Sequence, residues 1–325
     1  MSTIAAIIPL YNGAAYIEVA VRSVLGQERP VDEIIVVDDG STDNGPSLVA
    51  AMAAEYPMIR LLHKENGGQG SARNYGVAHC NSDLIALLDQ DDYWYSDHLK
   101  ELERAFVDAG DPHLAYVYSN LDRIDQKGMM ILPNCLDYFK IEEQPKRTLV
   151  GCLKANMYIL PSASLILKSA FQSVNGFDER LRGYEDDDLF LKLFCAGFKS
   201  SYVNKSLSAW RIHSASTSAS IRMLISAQIY YDTLVETFKN KNKTKENLVA
   251  DIIAPRFALV GHRTFKTYIK QDNRADDAKF ALGFALKCMR SMRLAGRMKM
   301  QFRISKYVAL FYLRQLFRKR GVGHS

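Results

Sequence analysis

The most constraining feature of this sequence is the regular alternation of short apolar runs with helical stretches over its first 90 residues. The apolar runs are continuous, which is typical of strands that are buried on both faces of a parallel sheet. The predicted strands cover 4–10, 33–39, 59–65 and 84–89, and the predicted helices cover 15–26, 46–55 and 70–80. This order predicts an α/β fold with a Rossmann-like, mostly parallel sheet and helices on both faces.

Polar clusters follow these strands, at the edge of the sheet where open α/β folds bind ligands. The clusters are PLYN (9–12), DDGSTD (38–43), ENGGQGSARN (65–74) and DQDD (89–92). The glycine-rich segment lacks the Gly-Lys-Ser/Thr of a P-loop, and Arg73 replaces the last glycine of a dinucleotide fingerprint, so neither an ATPase nor a dehydrogenase is indicated.

The DQDD cluster places three carboxylates within four residues. On an extended chain, alternate side chains share one side, so Asp89 and Asp91 are expected to point the same way. Two such carboxylates suit a divalent cation, Mn²⁺ or Mg²⁺, that also binds substrate phosphate.

Two further motifs lie beyond residue 110, among predicted strands at 115–120 and 162–168 and two late strands, SYVN (201–204) and SLSAWRIH (206–213). GYEDDD (183–188) begins a predicted helix at 188–197, and crowding of its carboxyl groups is expected to raise the pKa of one of them and favour a general base. In WRIH (210–213), Arg211 is a candidate phosphate contact and His213 a candidate metal ligand.

The charge is divided unevenly along the chain. Residues 1–220 hold 20 Lys and Arg against 29 Asp and Glu, a net of −9, whereas residues 221–325 hold 22 against 7, a net of +15. Strand patterns also stop near residue 218, so we predict a catalytic domain at 1–218 and a basic, mainly helical region at 219–325. The five cysteines form no CxxC pair, which favours a reducing, cytoplasmic location.

Taken together and in this order, these motifs resemble glycosyltransferase family 2, the inverting, nucleotide-sugar-dependent enzymes with a GT-A fold. The resemblance covers 1–218. It implies a catalytic pair, Glu185 and Asp186, with Asp186 as the base. It implies metal ligation by Asp91, Asp89 and His213. It also implies nucleotide-binding residues, in which Pro9 and Tyr11 pack on the base and Asp39 hydrogen-bonds uracil: Pro9, Tyr11, Asn12, Asp39, Asn66, Arg73, Asp89 and Arg211.

The same resemblance implies a UDP-sugar donor, a hexosyl or N-acetylhexosaminyl group as the cargo, and a glycan or lipid-linked glycan as the acceptor. Such an enzyme would serve cell-surface polysaccharide or glycolipid assembly. The implied reaction is a single displacement in which a carboxylate deprotonates the acceptor hydroxyl and a metal stabilises the leaving diphosphate.

The last predicted helix, 298–319, separates basic from apolar residues. One stripe carries Lys299, Arg303, Lys306, Arg314 and Arg318, and Phe302, Ala309, Leu313 and Leu316 cluster elsewhere. Two interpretations stay open. The helix either touches an anionic membrane surface, at the inner face of the cytoplasmic membrane, or packs on the catalytic domain or on a second copy in a homo-oligomer.

Three other classes of protein compete with this interpretation. A nucleotidyltransferase would need a triphosphate loop after the first strand, where PLYN stands instead. A non-catalytic nucleotide-sugar binder would not need both Glu185 and Asp186. A nucleic-acid-binding protein is disfavoured because the basic region carries no recognition motif, so no nucleic-acid partner is expected.

Overall fold

The computed structural model describes residues 2–139, 143–213, 221–240, 247–271 and 273–321, with the backbone alone from residue 314. The chain divides into two compact units. The first consists of residues 1–152 and 156–218, and the second of residues 153–155 and 219–325.

The first unit is built on one mixed sheet. Its strands are Ile4–Leu10 (β1), Glu33–Asp38 (β2), Ile59–His63 (β3), Leu84–Leu87 (β4), Tyr93–Trp94 (β5), Leu114–Ile124 (β6), Met130–Leu132 (β7), Ser164–Leu167 (β8) and Lys199–Arg211 (β9). Their order in the sheet is β3-β2-β1-β4-β8-β6-β9-β5, and β7 pairs with β6. The four strands β3, β2, β1 and β4 are parallel, so their carboxyl ends meet at one edge.

Helices connect and cover these strands. They are Ile17–Leu25 (α1), Gly45–Glu55 (α2), Gln69–His79 (α3), His98–Asp108 (α4), Cys135–Tyr138 (α5), Leu149–Leu153 (α6), Lys168–Ser173 (α7) and Glu185–Cys195 (α8). Helix α3 lies very close to the sheet at Gly76, where an added Cβ would stand 2.6 Å from a methyl group of Ile7. Glycine is therefore required for this close approach of α3 to β1 and β2.

The α/β fold and the predominance of parallel strands in the first half of the sheet confirm the predicted fold class. Two details differ from the sequence-based prediction. Residues 199–211 form one strand and not two, because register shifts in the β6–β9 pairing near Asn120 accommodate the polar residues in its middle. Helices α4 to α7 and the short strands β5 and β7 are additional elements that the sequence did not predict.

The second unit is helical. It contains Ile221–Phe238 (α9), a π-helical turn at Leu248–Ile253, Ala254–Tyr268 (α10), Ala275–Arg290 (α11) and Leu294–Gly321 (α12). Four buried aromatic rings, with centroids 5.7 to 6.3 Å apart, join α9, α10 and α11: Tyr230, Tyr231, Phe257 and Phe284. Within the described ranges, no helix is both long and apolar enough to cross a membrane.

Candidate active site

The loops that follow β1, β2 and β4 are joined to one another by hydrogen bonds. The backbone N–H of Tyr11 donates to the side-chain oxygen of Gln90 at 2.8 Å, and the Gln90 amide donates back to the carbonyl of Tyr11 at 3.0 Å. The side-chain oxygen of Asn12 accepts a hydrogen bond from the backbone N–H of Thr42 at 2.8 Å. These bonds give the sheet edge a defined shape in which polar side chains from distant parts of the chain converge.

The PLYN residues occupy different environments. Pro9 is buried within β1, opposite Val37 of β2. Tyr11, the next predicted contact for a base, is 48% exposed. Asn12 adopts a left-handed backbone conformation with φ of 48°, which turns the chain out of the strand. Tyr11 is thus the aromatic ring of this motif that is accessible to a ligand.

Asp39 organises the glycine-rich loop. Its buried carboxylate accepts the backbone N–H groups of Gly67 and Gly68, at 2.8 and 2.6 Å, and the ammonium group of Lys64 at 2.8 Å. The side-chain amide of Asn66 donates to the Asp39 carbonyl at 2.9 Å. The loop after β3 is therefore anchored on the end of β2, with Asn66 exposed at its surface.

The four residues of DQDD form a turn, closed by a 3.1 Å hydrogen bond from the backbone N–H of Asp92 to the carbonyl of Asp89. The chain is therefore not extended at this point, and the two carboxylates contact different partners. The Asp89 carboxylate meets Arg73 and the amide of Gln69. The Asp91 carboxylate lies 2.7 Å from Nε2 of His213.

Arg73 connects the two acidic motifs. Its guanidinium is 1% exposed, pairs with the Asp89 carboxylate and lies 3.6 Å from a carboxylate oxygen of Glu185. The group also stands over the ring of Phe177, at 5.2 Å from its centroid. Its Nε and Nη1 atoms have no hydrogen-bond partner within the described part of the chain. The structure thereby brings Asp89 and Glu185 to the same guanidinium group, although they are 96 positions apart in the sequence.

Arg211 supports the DQDD turn through hydrogen bonds. Its Nε donates to the Asp91 carbonyl at 2.7 Å, and Nη1 donates to the carbonyls of Asp125 and Gln126 at 3.1 and 3.2 Å. Its backbone N–H donates to the buried carboxyl of Asp92 at 2.9 Å. These partners are backbone carbonyls and a neighbouring carboxyl, so the contacts described for this predicted phosphate ligand are those of a loop support.

The second acidic motif begins helix α8. Tyr184, with φ of 66°, turns the chain so that Glu185 and Asp186 stand at the first turn of the helix. Burial, followed by the charges of Asp187 and Glu185, raises the pKa of Asp186 to about 8. Asp187 itself accepts the backbone N–H of Met157 at 2.7 Å. A carboxyl group with a pKa near neutrality can take up a proton from a substrate hydroxyl, which is what a general base must do.

Asp91 and His213 form the pair that fits a divalent cation. Burial, with the charge of Asp89, raises the pKa of Asp91, so the pocket favours a positive charge beside this carboxylate. The imidazole of His213 is stacked on Tyr16, with centroids 5.5 Å apart. In the part of the chain described here, no cluster of three or more His, Cys, Asp or Glu side chains is arranged to hold a metal. A cation at Asp91 and His213 would therefore need further ligands from a substrate, such as diphosphate oxygens.

Three residues at this site were not predicted. Gln69 and Gln90 lie inside the quoted motifs, and their neighbours in ENGGQG and DQDD were the only sequence signal for them. Tyr16 contacts both His213 and Arg211 across almost 200 positions, and no local pattern marks it.

The family model and the relatives similar to this chain all describe glycosyltransferases. The model described as Glycosyl transferase family 2 matches residues 5–163. An uncharacterized glycosyltransferase of Rickettsia conorii is 35% identical over 196 residues, 58% of this chain and 30% of that protein. Glycosyltransferase GlyG of Streptococcus pneumoniae is 28% identical over 219 residues, 66% of this chain and 72% of that protein. The chain spans less than a third of the length of the relatives from Rickettsia conorii, Rickettsia felis and Rickettsia bellii.

Solved structures show the same architecture. S. aureus TarS 1-349 in complex with UDP-GlcNAc has a TM-score of 0.64 at 17% identity, covering 98% of this chain and 92% of that one. The mannosyltransferase PcManGT of Pyrobaculum calidifontis, in complex with GDP-Man and Mn²⁺, has a TM-score of 0.54 at 17% identity, covering 97% and 84%.

Proposed function

Since the chain belongs to glycosyltransferase family 2 and has a GT-A fold, we propose that it transfers a hexosyl or N-acetylhexosaminyl group from a nucleotide diphosphate sugar to an acceptor hydroxyl. The donor is a UDP-sugar, and the acceptor is a glycan or lipid-linked glycan of cell-surface polysaccharide or glycolipid assembly. The observation that carries the proposal is the convergence on Arg73 of the DQDD turn and the Glu185–Asp186 helix start.

The nucleotide is proposed to bind at the edge formed by β1, β2 and β3. Tyr11 and Asn66 present accessible side chains there. Pro9, Asn12 and Asp39 contribute to this edge through the strand, turn and loop contacts described above. Arg211 supports the DQDD turn. Arg73 pairs with Asp89 and lies 3.6 Å from Glu185, the neighbour of the proposed base in the sequence.

Asp91 and His213 are the residues that would hold Mn²⁺ or Mg²⁺. When bound, the metal would supply positive charge that stabilises the diphosphate leaving group.

The carboxylate of Asp186 accepts the proton of the acceptor hydroxyl. The hydroxyl oxygen forms a bond to the anomeric carbon as the bond from that carbon to the diphosphate oxygen breaks, and the electron pair leaves with the nucleoside diphosphate. Attack opposite the leaving group inverts the anomeric configuration. Glu185, paired with Arg73, keeps a negative charge beside Asp186 and so contributes to its raised pKa.

The test is a panel of nucleotide sugars offered to the purified chain with Mn²⁺ or Mg²⁺, in which nucleoside diphosphate release is measured. The configuration of the product is read by NMR. Asp186→Asn is expected to abolish turnover and to leave the affinity for UDP, measured by calorimetry, within about twofold. Asp187→Asn is the matched control at the next position of the same helix and should remain active. Turnover by Asp186→Asn, or release of pyrophosphate from nucleoside triphosphates instead, would contradict the proposal.

A further inference from the structure

Helix α12 has one face that packs within the second unit. Met300, Ile304 and Phe311 are buried, at 3 to 5% exposure, and the Phe311 ring lies 5.8 Å from that of Phe265 on α10. Tyr307, on the same face, lies 5.5 Å from the ring of His262. These residues therefore form the buried apolar face of the amphipathic helix α12.

A second apolar face of α12 has no such cover. Five exposed residues form this face, which we call the exposed stripe. Their exposed fractions are 70% for Leu294, 63% for Met298, 83% for Phe302, 57% for Tyr312 and 51% for Leu313. At 100° per residue they fall within a sector of roughly 100°, on the side of the helix away from the packed face, and they extend over about 28 Å of its length. An apolar surface of this length on a soluble helix indicates a binding surface.

Basic side chains border the exposed stripe. Lys299, Arg303 and Lys306 are exposed and continue around the helix from its edge. None of the three has an acidic partner among the side chains that the structure describes. From residue 278 to residue 325 the sequence has 12 Lys and Arg and no Asp or Glu. The charge of this surface is therefore left for a partner to neutralise.

We propose that the exposed stripe docks on a membrane surface that contains anionic lipids. Phe, Met and Leu side chains partition into the boundary between headgroups and acyl chains, and Lys and Arg beside them reach lipid phosphates. A second copy of this chain is a poorer occupant, because two such helices would bring their uncompensated basic borders together. The inference goes beyond the proposed function, since it concerns where the protein sits and not which bond it makes.

The first test is co-sedimentation of the full chain with vesicles of phosphatidylcholine and phosphatidylglycerol, 3:1, compared with phosphatidylcholine alone. Binding is expected for the anionic vesicles and should weaken as salt rises. The double variant Met298→Ser with Phe302→Ser is expected to lower the partition coefficient about tenfold. Val107→Ser, at an apolar residue of α4 that is 71% exposed, is the matched control and should bind like the parent chain.

Charge is tested separately by a pair of double reversals. Lys299→Glu with Lys306→Glu should lower binding to anionic vesicles about tenfold or more. Lys127→Glu with Lys270→Glu makes the same change in net charge at exposed positions away from the exposed stripe, and should retain most of the binding. Equal losses in the two variants would show a non-specific charge effect and overturn the proposal.

Insertion is read directly from tryptophan emission. Phe302→Trp is expected to shift to shorter wavelength with anionic vesicles, whereas Val107→Trp should not, against the same background of two native tryptophans. Failure of the parent chain to bind either vesicle overturns the proposal. So does a dimer in light scattering that Met298→Ser with Phe302→Ser dissociates, because the stripe would then be an interface between copies. Donor hydrolysis in solution does not depend on these results, so the two proposals fail independently.

Discussion

The proposed base, Asp186, should make turnover rise steeply with pH between 6 and 8. Burial and the charges of Asp187 and Glu185 raise its pKa to about 8. A carboxyl group with that pKa is ionised in roughly 1% of molecules at pH 6 and roughly 10% at pH 7. We therefore expect kcat/KM to increase about tenfold per pH unit over this range and to level off above about pH 8.

The informative perturbation is Asp187→Asn. It removes one of the two charges that raise the Asp186 pKa, and the asparagine oxygen can still accept the Met157 N–H that Asp187 accepts at 2.7 Å. The acidic limb of the profile should move to lower pH by about one unit, which corresponds to about 1.4 kcal/mol of interaction between the two charges.

The assay is nucleoside diphosphate release from the active donor between pH 5.5 and 9.5, with the parent chain, Asp187→Asn and Asp186→Asn compared at each pH. The same ionisation should appear in stability. Between the ordinary pKa of an aspartate and about 8, the folded state binds more protons at Asp186 than the unfolded state, so the free energy of unfolding falls as pH rises. The fall should be smaller in Asp186→Asn. A profile that is flat from pH 6 to 8, or that Asp187→Asn leaves in place, would refute the reasoning.

Three further outcomes test other parts of the structure. Arg211→Met removes the donors to the carbonyls that support the DQDD turn and should lower the free energy of unfolding by about 2–4 kcal/mol in urea titrations; unchanged stability would exclude this supporting role. His213→Gln should weaken Mn²⁺-dependent UDP binding about tenfold or more in calorimetry, and equal affinities would remove His213 from the metal site. Gly261→Ala places a Cβ 2.9 Å from the Ala285 nitrogen and should cost about 1–3 kcal/mol. Gly283 has open space around an added Cβ, so Gly283→Ala should raise the free energy of unfolding by about 0.5–1 kcal/mol. Both variants are measured by differential scanning calorimetry, and loss of stability in both would refute the packing explanation.

Part of the site was predictable because neighbouring residues encode it. Continuous apolar runs identified the strands β1 to β4, and the parallel order of such strands places the residues that follow them at one edge. Asp39, Asn66 and the DQDD segment could be assigned to that edge without a structure. The family resemblance pointed to Asp186, and the structure then showed burial and neighbouring charges that raise its pKa.

Other features depend on contacts between distant positions. The direction of the Asp91 side chain is decided by a turn and by His213, 122 positions away. Arg73 was predicted to line the nucleotide pocket, but its location between Asp89 and Glu185 depends on the packing of α3 against β1 and β2. Arg211 was predicted to contact phosphate, and its described contacts are with backbone carbonyls that no local pattern reveals.

Helix α12 separates the two kinds of information most clearly. A basic stripe and a set of apolar residues can be located on this helix from the sequence, since a period of 3.6 residues is a local property. That Met300, Ile304 and Phe311 are buried while Phe302 stays exposed follows from the packing within the second unit. The physical reason is that a hydrophobic pattern states which residues avoid water, whereas the shape of the neighbouring helices determines which of them are covered.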